Sequence, residues 1–386
     1  LQDMPLADGL GHVHTLNAIQ TQVFHTLSHS RANVLLCAPY GSGKWTAALF
    51  AIARAFKQDS EAGGAASSSK NSAALLGIIL IIEPDAKRIG SRVDTLTKLA
   101  PFLGDINSVH ASSTLEHCVP RSIVIMTPAD AANALSGATA AHAQLPTLSL
   151  VVCLHIHKLT PAYELAIMQI RRTQPSRFIA TAQCLSTAAS FAAWLHIPTH
   201  AMYAFAPSDT PYPVSMSFDT VDIPYSETLV RAYAKPAFDC LETHEGEVGL
   251  LFAPTRAQCI TAAQELTARF AMKGFTAHPD VESAAQSIQH QGLAHLVRQG
   301  LAFWHTNLSE RDRSTVERLA DMRWIRAVLC SFEAAEDVPI QTSLVIVLGT
   351  QYTTHASRHV QEYSLEQLWS CLLYTSDAAD DRLCVD

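Results

Sequence analysis

Length, composition and charge restrict the kind of protein that this chain can be. It has 386 residues, of which 48% are hydrophobic and 16% are charged, so it can bury the cores of two α/β domains. The longest apolar run, Leu75–Ile82, contains Gly77 and is far shorter than the roughly 20 residues of a membrane span. The net charge of −8 argues against a surface built for strong binding to nucleic acid.

Short apolar runs alternate with helical patterns in the first half of the chain. The predicted strands are Asn33–Ala38, Gly77–Glu83, Arg121–Met126, Leu148–Leu154 and Arg177–Ala182, and the clearest helices are Gly43–Lys57 and Thr160–Arg172. Continuously apolar strands separated by helices predict an α/β fold with a parallel sheet covered on both faces. The Ser-, Ala- and Gly-rich stretch Asp59–Ser72 predicts a surface loop.

The second half repeats this alternation. Its predicted strands are Val248–Ala253, Gly300–Trp304, Ile325–Cys330 and Ser343–Gly349, and its clearest helices are Arg256–Met272 and Ser309–Met322. The prolines at 207, 211 and 213 predict a linker over 207–213, between a first domain at 1–206 and a second at 214–370. Cys371–Asp381 resembles a translated sequencing adapter, so residues 371–386 are interpreted as an artefact.

A glycine-rich loop follows the first predicted strand. Tyr40-Gly41-Ser42-Gly43-Lys44 opens a helix, where backbone N–H groups can surround a phosphate and Lys44 can reach the outer phosphates of a nucleotide. The next residue in such loops is Ser or Thr, whose hydroxyl binds Mg²⁺, but here it is Trp45. Thr46 lies about 100° further around the helix and does not substitute for that hydroxyl.

With this loop in place, the chain resembles the DExH-box helicases of superfamily two. The resemblance is to the C-terminal cassette of the large double-cassette spliceosomal RNA helicase and to the related helicase of the activating-signal-cointegrator complex. It implies two tandem RecA-like domains with parallel sheets. The segments that carry it are Asn17–Phe24, Asn33–Lys44, Pro211–Pro213, Leu250–Arg256, Leu308–Leu319 and Leu344–Tyr352.

The resemblance also implies roles for individual residues. Gln20 would recognise adenine, and the loop from Tyr40 to Lys44 would bind phosphate. Thr127 and Pro128 would contact the nucleic-acid backbone in the first domain, and Arg256 would lie near the bound strand in the second.

Several positions depart from the family pattern. Leu154, His155 and His157 stand where the family has the metal-binding Asp, the water-orienting Glu and the His of its Asp-Glu-x-His motif, so only His157 is retained. The Ser/Thr-rich coupling motif has become Ala182-Gln183-Cys184. In the second domain, Asp337 and Pro339 replace a Gly and an Asn, and the arginine-finger motif expected after Leu368 is replaced by the adapter-like stretch.

These departures predict a catalytically degenerate cassette. With Mg²⁺ binding lost and ATP binding weak or lost, the chain is expected to be a nuclear regulatory or protein-interaction module, with weak or no RNA binding. Its expected partners are the other cassette of the same helicase and spliceosomal-type proteins. Two alternatives remain open, namely an active ATP-dependent 3′–5′ RNA helicase with a corrupted sequence, and an expressed pseudogene.

Cysteine and histidine residues suggest a further alternative. The nine cysteines include no CxxC pair, which predicts reduced thiols in a cytosolic or nuclear protein. Cys153, His155 and His157 alternate along a predicted strand end and could hold Zn²⁺ on one face, but no fourth ligand is evident. We therefore predict no metal site.

Overall fold

The chain divides into two units between Pro211 and Tyr212, inside the segment 207–213 that was predicted as a linker. The computed structural model describes residues 15–65, 77–115, 118–140, 145–210, 214–223, 226, 228–273, 278–305, 307–335, 338, 340, 342–353 and 359–372. Each unit has its own hydrophobic core.

Unit 1 is a seven-stranded parallel sheet with strand order β3-β4-β2-β5-β6-β1-β7. The strands are β1 (Val34–Cys37), β2 (Ile78–Ile82), β3 (Ser108–Ala111), β4 (Ser122–Met126), β5 (Leu148–Cys153), β6 (Arg177–Ala182) and β7 (Met202–Ala204). The helices are α1 (Ala18–His29), α2 (Lys44–Ala65), α3 (Ala86–Leu103), α4 (Pro128–Ala140), α5 (Pro161–Thr173) and α6 (Ala188–Trp194).

Strands β1 and β2 are apolar at every position because helices cover both faces of the sheet. All residues of β1, β2 and β4 are buried. Since all the strands are parallel, the loops after β1, β2, β5 and β6 emerge at one edge of the sheet, here called the carboxyl edge. Every motif residue predicted to bind ATP phosphates or Mg²⁺ belongs to these loops.

Unit 2 is a smaller parallel sheet with strand order β11-β8-β10-β9, joined by a separate antiparallel hairpin. Its strands are β8 (Gly249–Ala253), β9 (Leu301–Trp304), β10 (Ala327–Ser331) and β11 (Leu344–Val347), and the hairpin is β12 (Gln351–Thr353) and β13 (Val360–Glu362). Its helices are α7 (Val230–Thr243), α8 (Arg256–Met272), α9 (Val281–Ser287), α10 (Gln291–Arg298), α11 (Glu310–Asp321) and α12 (Leu365–Leu372).

The α/β class and all of the predicted strands are confirmed, with ends shifted by a few residues. The predicted loop Asp59–Ser72 is wrong over residues 59–65, because α2 continues to Ala65. Alanine and glutamate favour helix and extend α2 beyond Phe56, the last buried residue described in it. Residues 66–72 lie outside the described part of the chain.

The start of the adapter-like stretch lies within α12. Cys371 and Leu372 are helical, and Cys371 is fully buried against the core of unit 2. Residues 373–386 lie outside the described part of the chain. Among the described residues, no helix combines the length and the apolar character that crossing a bilayer requires.

Candidate nucleotide-binding site

The glycine-rich loop turns between β1 and α2 at the carboxyl edge of unit 1. Gly41 and Gly43 have φ values of 68° and 70°, in the left-handed region that favours glycine. A Cβ on Gly43 would lie 2.0 Å from Nε2 of Gln20, so only glycine fits at this position. The strand, loop and helix therefore form the tight strand-to-helix turn that the sequence predicts, and phosphate binding at this turn remains a prediction.

Lys44 is turned back onto the loop that carries it. Its ammonium group donates to the carbonyl oxygens of Ala38 (3.2 Å) and Pro39 (2.5 Å) and lies 3.3 Å from the hydroxyl of Ser42. The Ser42 hydroxyl itself donates to the Pro39 carbonyl (2.8 Å). With only 5% of its surface exposed, Lys44 reaches a phosphate only if these loop contacts are exchanged for phosphate oxygens.

Residues at the start of α1 contact the backbone of the glycine-rich loop. Asn17 and Gln20 form a capping box, and the Asn17 amide also donates to the Ser42 carbonyl (3.1 Å). Gln20 is fully buried, with its amide oxygen accepting from Asn17 N (3.0 Å) and its amide nitrogen 3.5 Å from the Gly43 carbonyl. The structure thus places Gln20 beside the loop, and its predicted contact with adenine remains a prediction.

Trp45 fills the position where the family has a metal-binding hydroxyl. Its side chain is 2% exposed, and the Arg92 guanidinium of α3 stacks 4.2 Å from its ring centroid. Nε of Arg92 lies 3.6 Å from the carboxylate of Glu83, which follows β2 and is fully buried. Three side chains from separate segments therefore pack one against the next: the Trp45 indole contacts the Arg92 guanidinium, which contacts the Glu83 carboxylate.

The charge of Glu83 depends on this packing. Burial raises the pKa of the Glu83 carboxyl, while Arg92 and the Asp85 backbone N–H oppose that rise by favouring the charged form. The Asp85 N–H donates to Glu83 over 3.1 Å. Without Arg92, an ionised Glu83 would be a poorly compensated buried charge.

Leu154 follows β5 at the position of the family's metal-binding aspartate. Its side chain is 2% exposed and its N–H donates to the Ile82 carbonyl (3.0 Å). The buried Tyr163 of α5 donates its hydroxyl proton to the Leu154 carbonyl (2.8 Å). This position is therefore hydrocarbon, and the polar backbone next to it is satisfied by a neighbouring helix.

His155 stands at the position of the water-orienting glutamate, in a left-handed turn with φ 50° and ψ 46°. The Arg88 guanidinium donates to its Nε2 (3.4 Å), and its buried Nδ1 has no hydrogen-bond partner among the described residues. Burial, followed by the charges of Arg88, Arg92, Lys158 and Lys44, lowers the pKa of His155 to about 2. The ring is neutral at physiological pH and cannot provide the negative charge of a carboxylate.

His157 contacts the segment that follows β6. Its Nδ1 accepts a hydrogen bond from the Gln183 N–H (3.2 Å), which joins the former Asp-Glu-x-His segment to the former coupling motif. The interpretation of Cys153, His155 and His157 as neighbours on one strand face is wrong, because β5 ends at Cys153 and His155 turns the chain into a 3₁₀ turn, Ile156–Lys158. No cluster of metal-binding side chains occurs among the described residues.

The two positions that hold Mg²⁺ in the family do not fit that ion. Magnesium takes oxygen ligands in octahedral geometry, whereas Trp45 carries only an N–H donor and Leu154 only hydrocarbon. Among the described residues of unit 1, Glu83 is the one buried carboxylate, and its two oxygens face the Asp85 N–H and the Arg92 guanidinium.

The predicted nucleic-acid contacts lie at the starts of two helices. Thr127 precedes α4, and its hydroxyl donates to the Asp130 carboxylate (2.6 Å), while Pro128 is the first residue of that helix. Arg256 is the exposed first residue of α8. Their contacts with nucleic acid remain predictions. Asp337 and Pro339 lie outside the described residues.

Sequence reasoning missed three charged residues of this site, Glu83, Arg88 and Arg92. A signal for them existed, because Glu83-Pro84-Asp85 ends the apolar strand β2 abruptly. The two arginines follow at a spacing of four residues, which puts them on one face of α3.

A glycine loop between a strand and a helix at the carboxyl edge of one parallel sheet, followed by a second parallel α/β unit, defines a P-loop protein with RecA-like domains. Comparison with known proteins narrows this class. Residues 17–193 match the DEAD/DEAH box helicase family. Activating signal cointegrator 1 complex subunit 3 of Homo sapiens is 25% identical over 393 residues, covering 95% of this chain and 17% of the relative.

Two further relatives give the same result. A DExH-box ATP-dependent RNA helicase of Arabidopsis thaliana is 26% identical over 374 residues, covering 91% of this chain and 16% of the relative. The U5 small nuclear ribonucleoprotein 200 kDa helicase of Mus musculus is 26% identical over 352 residues, covering 87% and 16%. These similarities support a DExH-box helicase of superfamily two, and the chain spans about a sixth of the length of these curated relatives.

Proposed function

We propose that this chain is a catalytically inert cassette of an RNA helicase of the spliceosomal or signal-cointegrator type, and that it acts as a regulatory protein-interaction module. The observation that carries the proposal is the burial of Trp45 under Arg92 where the family has a metal-binding hydroxyl. Phosphoryl transfer depends on a metal ion, an oriented water and positive charge on the developing oxyanions. Leu154 and His155 remove the metal-binding and water-orienting carboxylates at two more positions.

The expected ligand chemistry follows from these replacements. Mg²⁺ binding is lost because neither Trp45 nor Leu154 offers an oxygen ligand. ATP binding is weak or lost because Mg²⁺ no longer links the phosphates of the nucleotide to the protein. RNA binding is weak or absent, in keeping with the net charge of −8.

The alternative of an active helicase with a corrupted sequence accounts less well for the packing around Trp45. A random replacement would introduce an indole without a prepared environment. Here the indole is covered by Arg92, and Arg92 is paired with the buried Glu83. Because the fold accommodates Trp45 through these contacts, we favour an inactive site over a corrupted sequence.

The relatives suggest where such a cassette works. One is named as a subunit of the activating signal cointegrator 1 complex and another as a helicase of the U5 small nuclear ribonucleoprotein. We infer a nuclear location, with the other cassette of the same helicase and spliceosomal-type proteins as partners.

Titration of the chain with a fluorescent ATP analogue, with and without Mg²⁺, tests the proposed loss of the metal site. We expect addition of Mg²⁺ to change the dissociation constant by less than about twofold, because no oxygen ligand remains to link metal to nucleotide. Lys44→Ala serves as a control that reports whether residual binding involves the loop. Tightening by about tenfold or more on adding Mg²⁺ would contradict the proposal.

A further inference from the structure

Acidic residues are missing from a large part of unit 1. Residues 15–57 and 165–208 contain no Asp or Glu, although the chain as a whole has a net charge of −8. The same two segments carry six basic residues besides Lys44, namely Arg31, Arg54, Lys57, Arg171, Arg172 and Arg177. Positive charge is therefore segregated within an acidic protein.

Hydrogen bonds bring three of these residues, Arg54, Arg171 and Arg177, to the edge of the sheet opposite the glycine-rich loop. Arg177, the first residue of β6, donates to the carbonyl groups of Thr26 (3.3 Å), Leu27 (3.2 Å) and Ala32 (3.1 Å). Arg54 of α2 donates to the Ser28 carbonyl. The end of α1 and the starts of β1 and β6 thus form one surface, here called the basic edge.

The end of α5 extends the basic edge. Arg171 donates to the Trp194 carbonyl and contacts the ring of His196. Asn33, just before β1, donates to the Leu195 carbonyl (3.1 Å), which joins this region to the start of β1. Because Arg54, Arg171 and Arg177 hold backbone groups, they act mainly as scaffold.

Other cationic and imidazole groups of the basic edge face solvent. The exposed members are Arg31, Lys57, Arg172, His25, His29, His196 and His200. Along α5, Arg172 continues a line that begins with Leu165 and Met168, which are 47% and 41% exposed. Residues at this spacing lie on one face of a helix. Leu165 and Met168 therefore lie on the same face of α5 as Arg172, a residue of the basic edge.

Carboxylates also border this surface. Asp59 and Glu61 follow Lys57 within α2, and Glu164 precedes Leu165 in α5, so the acid-free stretches end at these residues. Asp105, at the far end of the same sheet edge, is paired with Arg121 (3.8 Å). Glu164 lies in the first turn of α5, and Asp209 accepts from the Ala206 N–H (2.7 Å) beyond the acid-free segment.

We propose that the basic edge, together with Leu165 and Met168, binds an acidic amphipathic segment of a partner protein. This proposal rests on the proposed function in one respect, which is that the cassette binds other proteins. Charge complementarity favours an acidic partner, and the apolar pair favours one with aliphatic anchors. A nucleic acid is a poorer fit, because only three permanently charged side chains are exposed and no Phe, Tyr or Trp on these segments is exposed for base stacking.

Fluorescence anisotropy with two probes tests the assignment. One probe is a labelled peptide of about 18 residues with Leu at positions i, i+3, i+4 and i+7 and Glu elsewhere; the other is a labelled oligouridylate. We expect Arg31→Glu with Arg172→Glu to weaken peptide binding by about tenfold. The matched control, Arg311→Glu with Arg318→Glu, changes net charge equally on exposed positions of unit 2 and should weaken binding less than about twofold.

Three results would overturn the proposal. The first is no binding of the peptide to the unmodified chain, and the second is an equal loss in both double variants, which would indicate a general charge effect. The third is preferential binding of oligouridylate that disappears in the Arg31/Arg172 variant, which would make the basic edge an RNA site. None of these results depends on nucleotide binding, so failure here is distinct from failure of the proposed function.

Discussion

His155 is a neutral ring enclosed by cations. Its pKa is lowered from 6.5 to about 2, first by burial and then by Arg88 and the other neighbouring charges. The unfolded chain binds a proton at this residue below pH 6.5, whereas the folded chain does not. The stability that this difference contributes is present above pH 6.5 and is lost as pH falls from 6.5 towards 2.

This linkage predicts the behaviour of His155→Asn, in which Asn tolerates the left-handed backbone and does not titrate. Between about pH 7.5 and about pH 5.5, the unmodified chain should lose about 1 kcal/mol more unfolding free energy than the variant. Urea unfolding followed by hydrogen exchange of unit 1 peptides measures the difference. His200→Asn, at an exposed position, should keep the pH dependence of the unmodified chain, and an unchanged pH dependence in His155→Asn would refute the linkage.

At the level of residues, the packing of Trp45 and Glu83 against Arg92 could not be predicted from the sequence. The resemblance to the family predicts the loss of a hydroxyl at 45 and of carboxylates at 154 and 155. It could not identify Arg92 as the residue that covers the indole, because that contact joins α2 to α3 across 47 positions of the chain, counted as 92 minus 45. Long-range packing of this kind has no local sequence signature.

At the level of elements, the glycine-rich loop fixes how α1 and α2 meet. Gly43→Ala would place a Cβ 2.0 Å from Gln20 Nε2 at a φ of 70°. We expect this variant to lower the unfolding free energy of unit 1 by about 1–3 kcal/mol. Gly90→Ala is the matched control, since Gly90 lies in α3 with no atom within 4 Å of the added Cβ, and it should stabilise by about 0.5–1 kcal/mol. Equal effects in the two variants, measured by urea unfolding, would contradict the packing described for the loop.

The predicted elements succeeded where burial alone determines them. The strands that consist of continuous apolar runs were predicted correctly, because a sheet covered on both faces requires such runs. The short edge strands β3 and β7 were missed, since each is partly exposed and lacks such a run. The end of α2 was missed because its Ser, Ala and Gly composition is typical of a loop, whereas the chain stays helical to Ala65.

At the level of the whole molecule, two units with separate cores carry the fold. The carboxyl edge of unit 1 carries the indole of Trp45, the side chain of Leu154 and the neutral imidazole of His155, where we propose that the family has oxygen ligands. Its opposite edge gathers positive charge on a chain with a net charge of −8. The proposed loss of catalysis at one edge and the proposed partner surface at the other both agree with a cassette that binds proteins.

The rate of ATP hydrolysis tests the central claim most directly. The account predicts that the chain, with or without saturating RNA, turns over ATP more slowly than about 0.1 s⁻¹, two decades below a median enzyme. Trp45→Thr should remain equally inactive, because Leu154 and His155 still provide neither metal ligand nor water-orienting carboxylate. A faster rate in the unmodified chain, or activity restored by Trp45→Thr alone, would contradict the account.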